Sequence, residues 1–385
     1  MIIQIINISN TEVFKKYIGL YKIIRDDYQP GVIGLEIRNV TSVLAEVIQN
    51  IILTENEICY KIDDSQKEFV NLFLATSQKK IKDIARIILK EADEELGYKI
   101  INIIKNNDEY FSKSYRIGDK EFSFDRSYVM GILNVTPDSF SDGGKYFKSD
   151  DAVNHGLEML NEGADIIDIG GESTRPGAER VSTDEELRRI IPVINDILNK
   201  VPDAIISVDT TKKIIAEQAL THGAKIINDI SALTFDPDLA EIIKKHNASL
   251  ILMHMKGTPK DMQNNPYYED VVNEVYDFLF ERSQAAQKFG IKNIFIDPGI
   301  GFGKRIEDNF ELIKRLNDFK SLGYPILIGV SRKSFIGKSL NIEISERDTA
   351  SAIIESIAIK NGAKIIRTHN VKNGIQVTKL LNKLM

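Results

Sequence analysis

Residues 130–144 read MGILNVTPDSFSDGG, a short apolar run that breaks abruptly into a polar loop closed by two glycines. Val129, Gly131 and Leu133 alternate, and Asn134, Thr136, Pro137, Asp138, Ser139 and Asp142 follow, so the stretch reads as a strand running into a loop, not as a helix. A strand end on a rigid scaffold holds Asn134 in one place, and loops this rich in side-chain oxygen carry function. The pattern then recurs. Apolar strands at 128–135, 166–172, 204–209, 225–230, 249–254, 293–297, 325–331 and 364–368 alternate with amphipathic helical stretches, and each runs into polar residues. Strands and helices alternating in this number, joined by right-handed crossovers, close into a (β/α)8 TIM barrel, an α/β fold of about 250 residues.

The chain has 385 residues, so a barrel leaves room for a smaller N-terminal α/β domain. Strands near 2–8, 32–37 and 69–74 and helices over 41–54 and 78–96 are expected there. No metal spacing, phosphate loop or nucleophile constellation occurs in this part. Lys79, Lys80 and Lys82 read as a solvated face, and a packing or oligomerisation role is the expectation. Residues 105–127 are polar with Gly118 at a turn, a connection that becomes a short hairpin over the mouth or base of the barrel. The boundary is placed near 117, giving domains 1–117 and 118–385.

Composition narrows the classes. Hydrophobic residues at 43% with 28% charged suffice for an ordinary soluble core, and no run of about 18 apolar residues exists to span a membrane. The start of the chain lacks a basic leader before its apolar run, and the single cysteine, Cys59, has no disulfide partner, so a cytoplasmic setting is expected. A net charge of -6 offers no basic footprint for nucleic acid. Any phosphate chemistry must come from a few cations placed in a pocket.

Such cations stand at the strand ends. Asp150 and Asp151 suit a helix N-terminus, and Ser182 with Glu185 forms a capping-box start. Beyond these, IIDIGGES runs into Thr174, Arg175 and Pro176, AIISVDT delivers Asp209, and KIINDIS delivers Asn228 and Asp229. His254 ends the next strand, as ready to be a structural histidine as a contact. Asp297 precedes the turn of Gly299, Gly301 and Gly303, which does not fit a nucleotide-binding loop. Ser331, Arg332, Lys333 and Ser334 follow the seventh strand, and Arg367 and His369 the eighth. A barrel gathers all C-terminal strand ends on one face. Asp209, Asn228, Asp297 and Lys333 suit a planar heterocycle with ring nitrogens and an exocyclic amine. Lys333 beside buried carboxylates is expected to stay charged. Arg367 and His369, with Ser331 and Arg332 alongside, stand at the common barrel phosphate site. Asn134 is a neutral oxygen that could hold Mg²⁺ shared with phosphate.

The stretches NVTPDSFSDGG, GGESTRPG, VDT, NDIS, LMHMKGTP, DPGIGFGK, SRKSFIG and RTHNV, in this order across 118–385, closely resemble the dihydropteroate synthases of the pterin-binding barrel family. The resemblance implies a folate-synthesis transferase that condenses 6-hydroxymethyl-7,8-dihydropterin diphosphate with 4-aminobenzoate, releasing diphosphate and forming 7,8-dihydropteroate. It implies sensitivity to sulfonamide analogues of aminobenzoate, Mg²⁺ on Asn134, and a homodimer without nucleic-acid or membrane partners. Pterin contacts fall on Asp209, Asn228, Asp297 and Lys333, and diphosphate contacts on Thr174, Arg175, Arg367 and His369. The aminobenzoate pocket falls on Phe140, Asp142, Thr174, Pro176, Phe302 and Ser334, and the catalytic roles on Asp209, Lys333, Arg367 and His369. One position departs: the family motif often reads Arg-x-His-Asp, and here Asn370 replaces the acid. Two other readings stay open. A methyltetrahydrofolate-using methyltransferase shares the barrel but has no diphosphate to release, and a non-catalytic pterin-binding protein would take its function from the N-terminal domain.

Overall fold

The computed structural model describes residues 1–9, 11–22, 32–62, 68–136, 149–173 and 181–384. The chain divides into two compact units, 1–110 with 317–323, and 111–316 with 324–385.

In the first unit, β1 (Ile2–Ile6), β2 (Val32–Thr41), β3 (Cys59–Ile62) and β4 (Phe69–Ser77) form an antiparallel sheet in the order β1-β2-β4-β3. Helices α1 (Thr11–Tyr21), α2 (Ser42–Thr54), α3 (Gln78–Glu91) and α4 (Glu94–Asp108) accompany it. Period-two alternation sorts the sheet residues onto two faces. Ile3, Ile5, Leu35, Ile37, Leu72 and Leu74 pack with buried residues of α2, α3 and α4, while Ile6 and Phe73 pack with Tyr17 and Tyr21 of α1. The sequence pattern suggests one helix over 78–96, but there are two. Asp93 accepts a hydrogen bond from the Leu96 amide and so caps a new helix, and α3 and α4 then cross so closely that a Cβ on Gly97 would meet Leu89 at 2.4 Å.

The second unit opens with a hairpin, β5 (Ser114–Ile117) and β6 (Lys120–Ser123), so a boundary at 117 would cut a hydrogen-bonded pair in two. Eight parallel strands follow: β7 (Tyr128–Asn134), β8 (Ile166–Gly170), β9 (Ile206–Asp209), β10 (Ile226–Asp229), β11 (Ser249–Met253), β12 (Ile294–Asp297), β13 (Ile326–Ile328) and β14 (Ala363–Thr368). They close into a barrel in chain order, with β14 pairing back onto β7. Around it run α5 (Ser149–Glu162), α6 (Thr183–Lys200), α7 (Lys213–Thr221), α8 (Leu239–Lys245), α9 (Val271–Phe289), α10 (Ile306–Lys314), α11 (Ser334–Leu340), α12 (Asp348–Lys360) and α13 (Val371–Leu384). Ser182 caps α6 as its sequence predicts, but the Glu185 carboxylate turns to Arg188 and Arg189 instead of completing a capping box. Asp270 caps α9, and Gly290 ends it in the left-handed region.

Barrel strands are apolar throughout because helices cover the outside and side chains fill the inside. The lowest interior layer is a single cluster of Met130, Ile166, Ile205, Ile226, Ile251, Phe295, Leu327 and Ile365, against which Ile117 and Phe122 of the hairpin pack. The hairpin therefore closes the base, leaving the C-terminal strand ends as the mouth. No helix among the described residues is long and apolar enough to cross a membrane.

Candidate active site

Counting two residues up each strand from that apolar layer gives the next inward-facing layer, because successive strand residues alternate in direction. Ile166 leads to Asp168, Ile205 to Ser207, Ile226 to Asn228, Phe295 to Asp297 and Ile365 to Arg367, while Met130, Ile251 and Leu327 lead to Ile132, Met253 and Gly329. One step of the alternation thus changes a hydrocarbon floor into a ring with polar side chains from five of the eight strands. Asn134 and Asp209 stand a further step up, aligned through β8 by the register pairs Asn134–Gly170 and Gly170–Asp209.

The polar ring is internally bonded. Arg367 donates through Nε to Asp168 Oδ2 at 2.6 Å and through Nη2 to Asp209 Oδ2 at 3.2 Å. Asn228 donates through Nδ2 to the same Asp168 oxygen at 3.0 Å. Burial pushes the Asp209 carboxyl up; Arg367 opposes this, while Asp168, Glu186 and Asp229 add to it, and the outcome is about 7. Asp229 itself serves the fold, its carboxylate accepting from the amides of Ser231 and Leu233 and from the Ser231 hydroxyl.

Asp297 accepts from the Gly299 amide at 2.7 Å, and burial raises its pKa against the pull of Lys333. The glycines after it answer to sterics. A Cβ on Gly299 would sit 1.9 Å from the His254 carbonyl, and one on Gly303 2.2 Å from that of Lys256, with φ positive at both. Buried Lys304 ties this turn together, contacting His254 Nδ1 at 2.9 Å and donating to the carbonyls of Gly299 and Phe302 at 2.8 and 3.0 Å. His254 lies edge-on to Phe278 and is held neutral by burial and by Lys304, so it belongs to the scaffold. Lys333, the residue before α11, donates to the Ile300 carbonyl and lies 4.6 Å from the centre of the Phe302 ring. Burial lowers its pKa to about 8, with Asp297 resisting, so at neutral pH the ammonium stays charged by a narrow margin.

On the rim, His369 Nδ1 and its backbone amide both lie 3.1 Å from the Ser331 hydroxyl. Asn370 has other work: it donates to Asp348 Oδ2 and accepts the Asn373 amide at the start of α13. Asp348 in turn holds Arg332 in a two-pronged ion pair, which takes Arg332 away from the mouth.

Of the residues expected from sequence, Asn134, Asp209, Asn228, Asp297, Phe302, Lys333, Arg367 and His369 belong to strand ends and loops of one barrel face, and Ser334 begins α11 on that face. Phe140, Asp142, Thr174, Arg175 and Pro176 lie outside the described residues. The sequence reading passed over Asp168. Its signal was available, since a carboxylate in the middle of the fully buried run IIDIG needs a cationic or donor partner. Among the described residues, Arg367 and Lys333 face the carboxylates of Asp168, Asp209 and Asp297.

The model of the pterin binding enzyme family matches residues 130–369. A dihydropteroate synthase of Synechocystis sp. is 44% identical over 280 residues, spanning 72% of this chain and 96% of the relative, so more than a quarter of this chain has no counterpart there. The crystal structure of Xanthomonas albilineans dihydropteroate synthase with 4-aminobenzoic acid superimposes with a TM-score of 0.67 at 41% identity, over 71% of this chain and 98% of the other. The same enzyme in complex with 7,8-dihydropteroate gives 0.64 at 38% identity, with the same coverage. This chain belongs to the dihydropteroate synthase family of pterin-binding enzymes.

Proposed function

We propose that this chain condenses 6-hydroxymethyl-7,8-dihydropterin diphosphate with 4-aminobenzoate, giving 7,8-dihydropteroate and free pyrophosphate. The observation that carries the reading is the polar ring itself, in which Arg367 joins the carboxylates of two adjacent strands directly above an apolar floor. A flat, apolar-faced ring with polar edges fits such a floor, and its edge groups meet Asn228, Asp297 and Lys333.

In the reaction the bond between the pterin methylene and the bridging diphosphate oxygen breaks. The aniline nitrogen bonds to the methylene and gives up a proton. Arg367 and His369 bind the departing diphosphate, and Asp209, ionised, stabilises positive charge developing on the methylene. Lys333 stacks on Phe302 and closes the side of the pocket. Thr174, Arg175 and Pro176, with Phe140, Asp142, Phe302 and Ser334, would receive the aminobenzoate and the outer phosphate. No side-chain nucleophile is required.

The donor set also fits a magnesium ion of the kind held mainly by substrate oxygens. No cluster of three or more acidic, histidine or cysteine ligands exists among the described residues, and Asn134 offers one neutral oxygen beside Gly170. Bound there, the ion would neutralise diphosphate charge that the pocket's own cations leave uncovered. A homodimer in the cytoplasm completes the reading.

The test is an assay of the full chain with both substrates. Stoichiometric pyrophosphate release supports the condensation. Methyl transfer from methyltetrahydrofolate without pyrophosphate would favour the methyltransferase reading, and pterin binding without turnover the non-catalytic one.

A further inference from the structure

Asp168 is completely buried, in the middle of β8, and every hydrogen bond it makes to the described residues passes through Oδ2. That oxygen accepts from two groups on different strands, Arg367 Nε at 2.6 Å and Asn228 Nδ2 at 3.0 Å. Both donors belong to residues with a part in the proposed reaction, and neither donor atom has another hydrogen-bond acceptor among the described residues. We infer that Asp168 is a positioning residue that aims the anion-binding arginine and the heterocycle-reading amide as one unit, a role that rests on the function proposed above.

Two consequences follow from the donor chemistry. A guanidinium tethered by its Nε edge cannot swing about its long side chain, so its terminal Nη groups are fixed toward Asp209 and the mouth. The amide of Asn228 has one donating and one accepting end. Because Asp168 Oδ2 already accepts from Arg367, it takes the NH₂ end of Asn228, and the carbonyl Oδ1 is left as the amide's free end. Asp168 therefore decides that Asn228 reads a donor on the ligand, such as a ring N–H or an exocyclic amine. The carboxylate never needs to touch the ligand to do either.

The experiment replaces Asp168→Asn, which keeps the volume and removes the charge, with Ser249→Ala, buried at the start of β11 on the base side of the barrel, as a control. The KM for dihydropterin diphosphate and its competition by inorganic pyrophosphate are measured against the KM for 4-aminobenzoate. D168N is expected to raise the KM for the diphosphate substrate at least tenfold and to weaken pyrophosphate competition to a similar degree. The KM for 4-aminobenzoate and all constants of S249A should stay within about twofold. Equal shifts in both KM values, or none in a folded D168N protein, would overturn the inference and make Asp168 a packing residue only. Should D168N not fold, the wild type carries the test by NMR of the Arg367 Nε–H, assigned by its loss in R367K. Slow exchange with solvent that persists when inorganic pyrophosphate is added is the expected result; exchange at the rate of an exposed arginine would overturn it. Absence of pyrophosphate release in the wild type would sink the proposed function instead, and the NMR measurement would still decide the tether.

Discussion

Each unit of this molecule buries a carboxylate against a guanidinium, and the two arrangements differ in what surrounds them. In the N-terminal unit Glu36 pairs with Arg38 at 2.5 Å on the same strand, and the Tyr21 phenol donates to Glu36 at 2.7 Å while Gln4 accepts from Arg38 at 2.8 Å. Tyr17, Tyr21 and Phe73 stack beside the pair. In the barrel, Arg367 meets two carboxylates that come from other strands, and the ring they form faces the open C-terminal end. The first cluster is sealed by aromatics; the second is arranged around a space. Burial of charge alone therefore does not mark a site: what marks it is convergence from several elements onto one opening.

The comparison predicts that the two clusters fail differently. Arg367→Ala should lower kcat/KM for dihydropterin diphosphate by about a thousandfold, since it removes charge placed for the leaving group, and should also cost about 3 kcal/mol of stability by leaving Asp168 buried without its cation. Glu36→Gln should cost stability alone, about 3 kcal/mol for leaving Arg38 buried without its carboxylate, while kcat of the folded enzyme stays within twofold. If E36Q slowed turnover as R367A does, the contrast between the units would collapse.

Metal removal sharpens the barrel side. Chelation should lower turnover at least tenfold, and Asn134→Ala should raise the Mg²⁺ concentration needed for half-maximal rate; a rate indifferent to chelator would take Asn134 out of the reaction. The pH dependence is smaller. With Asp209 titrating near 7 and needed as the anion, kcat/KM should fall about tenfold per unit below that pH. The sign for stability is opposite: a carboxyl whose folded pKa is raised favours folding below its unfolded pKa of about 4, and that contribution is lost as pH rises through 7. Activity should therefore rise over the window in which Asp209's contribution to stability declines. Asn370→Asp should matter least. It places a carboxylate beside Asp348, and the expected effect is about 0.5–1 kcal/mol of stability and less than a threefold change in KM, because Ser331 and not Asn370 holds His369.

The barrel was legible in the sequence because a parallel barrel strand is buried on both faces and reads as an unbroken apolar run, and every such run proved to be a strand. Polar residues at the ends of those runs were legible for the same reason, since Asp209, Asn228 and Asp297 interrupt apolar stretches. Asp168 was not read because it stands inside a run, where an alternation between floor and ring appears only once the register is known. The N-terminal unit was less transparent. Apolar spacing continues across Ala92 and Asp93, so one helix was expected over 78–96, whereas α3 ends at Glu91 and α4 runs on from Glu94 to Asp108 beyond that range; the short edge strand Cys59–Ile62 carries too few residues to show a period.

Calorimetric titration of dihydropterin diphosphate into the full chain, compared with R367A and Asp297→Asn, tests the convergence most directly. A single binding site in the wild type, weakened at least tenfold by either substitution although the two residues stand on different strands, is the predicted result. Undiminished binding in both variants would contradict it.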